Sequence, residues 1–192
     1  MNSGYLLPLF IALPLGAAFL IPIAGYIRKW LADLIAVLTT GLLVLLSFGR
    51  IGADTVVYTM GGWKPPFGIN LVGDPFAGFF QIIINTIAFL VIVYSIAYME
   101  RYTSKVKYYC LFMMMLAGMN GVVATGDMFN MFVFLEIAAI SSYSLVAFGI
   151  EHEELEASFK YLVLGNVASG FILFGIALLY SITGTLNLAD IA

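Results

Sequence analysis

Charge is what this sequence has least of. Only 10% of its 192 residues are Asp, Glu, Lys or Arg, whereas 62% are apolar. A soluble domain carries about 25% charged residues, so this chain has too few to build a water-facing exterior. Cysteine and histidine occur once each. The single thiol, Cys110, excludes an internal disulfide and a thiolate metal cluster made by this chain alone. It reads as a small apolar side chain near a helix start. Basic residues are too few and too scattered for a nucleic-acid surface. A membrane enzyme with its own catalytic site also lacks support, because the apolar runs hold no His cluster, Cys pair or Ser–His partnership. The segment "HEELE" at 152–156 misses the second His of the zinc-protease HExxH pattern. No metal or cofactor is expected.

What is present is a series of apolar blocks, each of a length that crosses a hydrocarbon core of about 30 Å as a helix. They lie at roughly 4–26, 31–49, 75–98, 108–126, 129–149 and 158–182. The expectation is an all-α membrane protein of six transmembrane helices forming a single domain over 1–192. The runs are apolar on every side and lack the alternation of a membrane barrel. The first run is kept as a span and not read as a signal peptide, because Arg28 and Lys29 follow it and no basic region precedes it.

The basic residues sort by side. Arg28, Lys29, Arg101, Lys105, Lys107 and Lys160 fall on one side, Arg50 and Lys64 on the other. That bias places the first group in the cytoplasm and both termini outside a cell membrane. Residues 50–74 then form an external loop. "TVVYTM" in that loop suits a short strand, Gly61-Gly62 and Pro65-Pro66 suit turns, and Tyr58 and Trp63 suit the lipid–water interface. Asp74-Pro75 reads as N-cap and first-turn residue of the third span.

Glu136 is the outlier. It lies in "GDMFNMFVFLEIAAISSYSLVAFG", nine residues past Asp127 and fifteen before Glu151. At 1.5 Å per residue that is about 14 Å from one flank and about 22 Å from the other. A carboxylate at that depth costs several kcal/mol unless it is protonated, paired or wet. Desolvation favours the neutral acid and a nearby cation favours the carboxylate. A carboxyl held between the two takes up and releases a proton as its surroundings change, which is the chemistry of a proton relay. The bland alternative is a protonated Glu that glues neighbouring helices together.

Other polar residues fall into two readings each. Tyr143, on the same face as Glu136, suits a hydrogen-bonded chain leading inward, with Ser142 and Ser144 beside it. Lys160, in "LEASFKYLVLG", either modulates Glu136 as one coupled titrating unit or reaches to the cytoplasmic interface. His152 titrates near neutral pH by type. With Glu151, Glu153, Glu154 and Glu156 it either gathers protons at a channel mouth or forms a solvated acidic turn. Asp127 reads as a proton-path residue or as the N-cap of the fifth span. Asn130, Asn120, Asn85 and Gln81 either bind water or stitch helices. Gly165, Ser169 and Gly170 form a small-residue face for helix packing.

These segments resemble a known family. "GDMFNMFVFLEIAAISSYSLVAFG" and "EASFKYLVLGNVASGFILFGIALLYSITGTLNLADI", with "LAGMNGVVATGD" and "DPFAGFFQIIINTIAFLVIVYSIAYM" before them, are similar to the proton-conducting antiporter-like subunits. The family includes the D-type component of Mrp sodium/proton antiporters, components of membrane-bound hydrogenases and the antiporter-like subunits of respiratory complex I. The resemblance implies that Glu136 is central to a proton path and that Lys160 belongs to its polar axis. It implies other integral membrane subunits as partners, with protons and sodium as candidate ions, and no redox cofactor bound here. Family members carry about fourteen helices in two inverted repeats plus extra helices. This chain reaches Ala192 after six spans. The expectation is therefore part of the first inverted-repeat half, from a split gene or a shortened homologue, with a separate chain as one source of the second repeat. The leading function is a proton- or cation-translocating subunit, with a redox-driven pump as one setting; the alternative is a non-conducting scaffold of the membrane arm.

Overall fold

The structure is a computed structural model that describes residues 6–63, 65, 68–101 and 105–192. Lys64, on which the orientation partly rests, and Pro66, expected in a turn, lie outside the described residues, as do residues 4 and 5 of the first expected span. The protein is all-α with a small β-hairpin. Among the described residues, six helices are long and apolar enough to cross a membrane: α1 Leu9–Ile27, α2 Lys29–Phe48, α3 Pro75–Tyr98, α4 Lys105–Ala124, α5 Met128–Val146 and α6 His152–Thr183. A short α7, Leu188–Ile191, follows.

Local chemistry sets the helix ends. Arg28 takes extended backbone between α1 and α2, with φ −151° and ψ 129°. Pro14 and Pro22 lie within α1, a placement membrane helices tolerate. The Asp74 carboxylate accepts from Ala77 N at 2.7 Å and Pro75 opens α3. The Asp127 carboxylate does the same for α5, accepting from Asn130 N at 2.7 Å. α6 begins at His152, six residues before the expected span, because Glu154 reaches back to Glu151 N at 3.4 Å and continues the helix through the acidic stretch. At 32 residues, α6 is about 48 Å long against a core of about 30 Å. It is therefore longer than one crossing needs, and its acidic first turns are the part whose charge suits water.

The expected strand is present as β1, Val56–Thr59, and pairs antiparallel with β2, Asn70–Gly73, in the register Val57↔Val72 and Tyr58↔Leu71. The hairpin is tied to the helix ends beside it. Thr125 bridges to Leu71, Gly126 N donates to Asn70 O at 3.0 Å, and Asn187 Nδ2 donates to Asn70 Oδ1 at 3.0 Å. The α2–α3 loop, the α4–α5 break and the segment after α6 thus form one end of the bundle.

The core sits among α1–α4, where Phe10, Ile21, Leu43, Ile92, Met113 and Leu116 are fully buried. α4 also packs on α5, and α5 carries α6. Gly118 and Gly121 allow the α4–α5 approach, since a Cβ at either would strike Phe134 or Ala138. α6 is exposed along most of its length, with Leu164, Phe171 and Ile182 each more than 70% exposed.

Candidate functional site

The polar features of α5 and α6 meet in one seam. Glu136 stands eight residues into the 19-residue α5, about 12 Å along the axis from its start. It is half-buried, and its Oε1 accepts a hydrogen bond from Ser169 Oγ of α6. Seven residues further along α5, about two turns, Tyr143 lies on the same face and is buried. Its ring meets Tyr161 edge-on at 4.6 Å between centroids, and its backbone carbonyl accepts from Ser158 Oγ at 2.8 Å. Gly165 makes room for the Tyr143 hydroxyl, because a Cβ there would occupy the same space. A carboxyl and a phenol are thus stacked along an inter-helix seam, with the hydroxyls of Ser158 and Ser169 crossing it.

The remaining candidates lie elsewhere. Lys160 Nζ pairs with Glu156 Oε1 at 2.5 Å, and both side chains are more than half exposed. Lys160 precedes Ser169 by nine residues, about two and a half turns, so it faces away from the seam. His152 is the exposed first residue of α6, and Glu151, Glu153 and Glu156 are exposed around it. Asp127 sits at the other end of α5, occupied as its cap. Ser141, Ser142 and Ser144 donate to carbonyls of their own helix at 2.8–3.0 Å. Of the small residues on α6, Gly165 and Ser169 face α5, whereas Gly170 meets open space.

A second polar group lies among α2, α3 and α4. Asn85 and Asn120 exchange amide hydrogen bonds at 3.0 and 3.1 Å, and Asn85 also donates to Ser47 Oγ at 2.9 Å. At the bundle end opposite the hairpin, Lys105 pairs with Asp33 at 2.8 Å and donates to Ile96 O at 2.8 Å. Asp33 and Tyr161 are not among the residues singled out from the sequence. A lone carboxylate near the start of an apolar run is the available signal for Asp33; a tyrosine on a membrane helix carries none for its partner.

Residues 125–192 match the family model described as NADH:quinone oxidoreductase/Mrp antiporter, transmembrane. Residues 58–109 match that of NADH-ubiquinone oxidoreductase (complex I), chain 5 N-terminus. The chain belongs to the antiporter-like subunit family. It is 37% identical to the N component of NADH-quinone oxidoreductase from Desulforudis audaxviator, over 97% of this chain and 37% of that protein. It is 36% identical to the D component of the Na(+)/H(+) antiporter from Bacillus subtilis, over 100% of this chain and 39% of that protein. Among solved structures, a chain of an archaeal membrane-bound sulfane sulfur reductase superposes with a TM-score of 0.89 at 40% identity, over 100% of this chain and 39% of that one. The chain thus spans less than two-fifths of the length of these relatives. It is a multi-pass membrane protein of this antiporter-like family.

Proposed function

We propose that this chain is a proton- or cation-translocating part of a multisubunit membrane complex of the Mrp-antiporter, membrane-bound-hydrogenase or complex I type, with Glu136 as its protonatable switch. The observation that carries the reading is a carboxyl at mid-span, in an apolar helix, whose hydrogen-bond partner sits on the next helix. Ser169 holds the carboxyl in either protonation state, since a hydroxyl both donates and accepts. Tyr143 extends the polar line toward the acidic start of α6, where His152 and its glutamates meet water. Lys160 acts there as a modulator from a distance, through the field of its ammonium group as its pairing moves between Glu156 and groups beyond this chain. Other integral membrane chains or segments cover the exposed face of α6. Protons are the primary ion and sodium a secondary candidate, in a cell membrane with both termini outside. One charge moved against 100 mV stores about 2.3 kcal/mol.

The scaffold reading is favoured by one feature: Ser169–Glu136 is also what a static inter-helix clasp looks like. Glu136→Gln in the intact native complex separates the two. The substitution keeps the size and the Ser169 contact but removes the titrating proton. Ion pumping in sealed vesicles is compared with assembly of the complex. We expect pumping to fall by about a hundredfold or more, the scale on which proton transfer by a positioned group contributes, while assembly is kept. Normal pumping would leave the chain a scaffold.

A further inference from the structure

Among the described residues, Gln81 and Arg50 are buried side chains away from the α5–α6 seam whose polar atoms are unpaired wholly (Gln81) or in part (Arg50). Gln81 of α3 is 0% exposed, and neither its amide oxygen nor its amide nitrogen is paired. Arg50, just past α2, is 9% exposed; its Nη2 donates to Gly73 O at 2.9 Å, while Nε and Nη1 find no acceptor. A cavity of about 310 Å³ opens beside Arg50 between the hairpin-side ends of α2 and α3, with Ser47, Asp74, Gly78 and Ile82 also in its wall.

Ser47 joins the two observations. It lines the cavity, its hydroxyl donates to Leu43 O at 2.8 Å, and its Oγ lies 3.4 Å from the Gln81 backbone carbonyl. Gly78, three residues before Gln81, has nothing within 4 Å of where a Cβ would stand. Gln81 itself is not in the cavity wall, and Ser47 is the residue that stands between the two. Burial lowers the Arg50 pKa and the field of Asp74 raises it, and a guanidinium stays charged throughout. A charged donor fork and an uncapped amide both call for small polar ligands. Water fits where a site is roomy and offers two to four partners, and at about 30 Å³ each the cavity holds roughly ten.

We propose that this cavity is the mouth of an aqueous crevice that passes Ser47 and ends on the Gln81 amide, holding ordered water inside the α2–α3–α4 seam. Waters bridge Arg50 to Asp74 and satisfy Gln81. The reciprocal Asn85–Asn120 pair closes the inner end. Gln81 is seven residues past Asp74, about 10 Å along the axis, so hairpin-side water reaches about a third of the way through a core of about 30 Å. The crevice is separate from Glu136. It shortens the dry thickness over which the transmembrane potential falls on this side of the bundle.

The test is thiol reactivity in membranes holding the whole native assembly, with Cys110→Ala as background. Single cysteines replace Ser47, Gln81 and, as a dry control, Ala88, which is 2% exposed in the core. The probe is neutral methyl methanethiosulfonate, whose sulfenyl sulfur the cysteine thiolate attacks to form a mixed disulfide as methanesulfinate leaves, so the reaction is fast only where water lets the thiol ionise. Ser47→Cys and Gln81→Cys are expected to react about tenfold or more faster than Ala88→Cys. Gln81→Cys as slow as Ala88→Cys overturns the proposal. A density map of the unsubstituted assembly at ordered-water resolution decides independently, should Gln81→Cys fail to assemble. Peaks within hydrogen-bond reach of the Gln81 amide support the crevice; a partner side chain or lipid tail filling it, or no peak, overturns it.

Discussion

At the scale of the residue, polarity inside apolar runs is the signal, and its limit is geometry. Glu136 stands out in any reading of "FVFLEI" because hydrocarbon penalises a carboxylate wherever it points. Ser169 does not stand out, since serine is ordinary in a small-residue face, and only the contact across 33 residues makes it a partner. Lys160 shows the converse. Its nearness to Glu136 in sequence says nothing of the phase of α6, which turns it toward Glu156 and away from the seam. The Asn85–Asn120 pair is legible as two polar side chains and not as one clasp, because the two lie 35 residues apart. That clasp makes a quantitative test. Asn85→Leu strands the Asn120 amide oxygen while its nitrogen still donates to Leu116 O at 3.1 Å, and an unsatisfied buried group costs about 1–3 kcal/mol. Replacing both partners by leucine removes the stranded group. The single variant is therefore expected to lose about 2 kcal/mol in denaturant unfolding in detergent, and Asn85→Leu/Asn120→Leu to recover most of it. A double variant worse than the single one would mean that the amides do more than pair.

At the scale of the element, the six spans are legible because runs of about 20 apolar residues have few other solutions. Their ends are less so. The acidic stretch before Lys160 looks like a loop by charge, yet Glu153 and Glu154 occupy the first turn of α6, where a helix dipole favours carboxylates. β1 is readable from its β-branched pattern. β2 is hidden, because "NLVG" gains meaning only from the strand it pairs with. The α5–α6 turn carries a feature that no pattern announces. Ile150 has φ 62° and is 75% exposed. A β-branched residue in the left-handed region is a true outlier, with a cost of about 1–2 kcal/mol that glycine does not bear. Ile150→Gly is expected to stabilise the chain by about 1 kcal/mol, seen as a higher midpoint of thermal unfolding in detergent. A lower midpoint would show that the Ile150 side chain is packed in the assembly that the turn serves.

At the scale of the whole molecule, burial is uneven in a way that composition cannot express. Every span is strongly apolar, so sequence ranks none of them as central. The fold does: α1–α4 share one core, α5 leans on α4, and α6 is held by α5 alone among the major helix contacts. α4 is the most buried of the six, α5 is mostly half-buried, and α6 side chains are mostly exposed. Local opening follows such differences, since a segment with few packed contacts opens without disturbing the rest. The candidate site therefore joins α5, which packs extensively on α4, to α6, the least anchored helix of this chain, and a conformational switch is most readily drawn from such a segment. Hydrogen exchange of the 192-residue chain in detergent checks this. Amides of α6 are expected to exchange about tenfold or more faster than those facing the α1–α4 core, a gap of about 1.4 kcal/mol in opening free energy. Within α6, the slowest amides should lie near Gly165–Ser169, where Tyr143 and Glu136 hold it to α5. Uniform protection across all six helices would mean that the α5–α6 pair opens only with the whole bundle, and a switch centred on Glu136 would then need to move without loosening either helix.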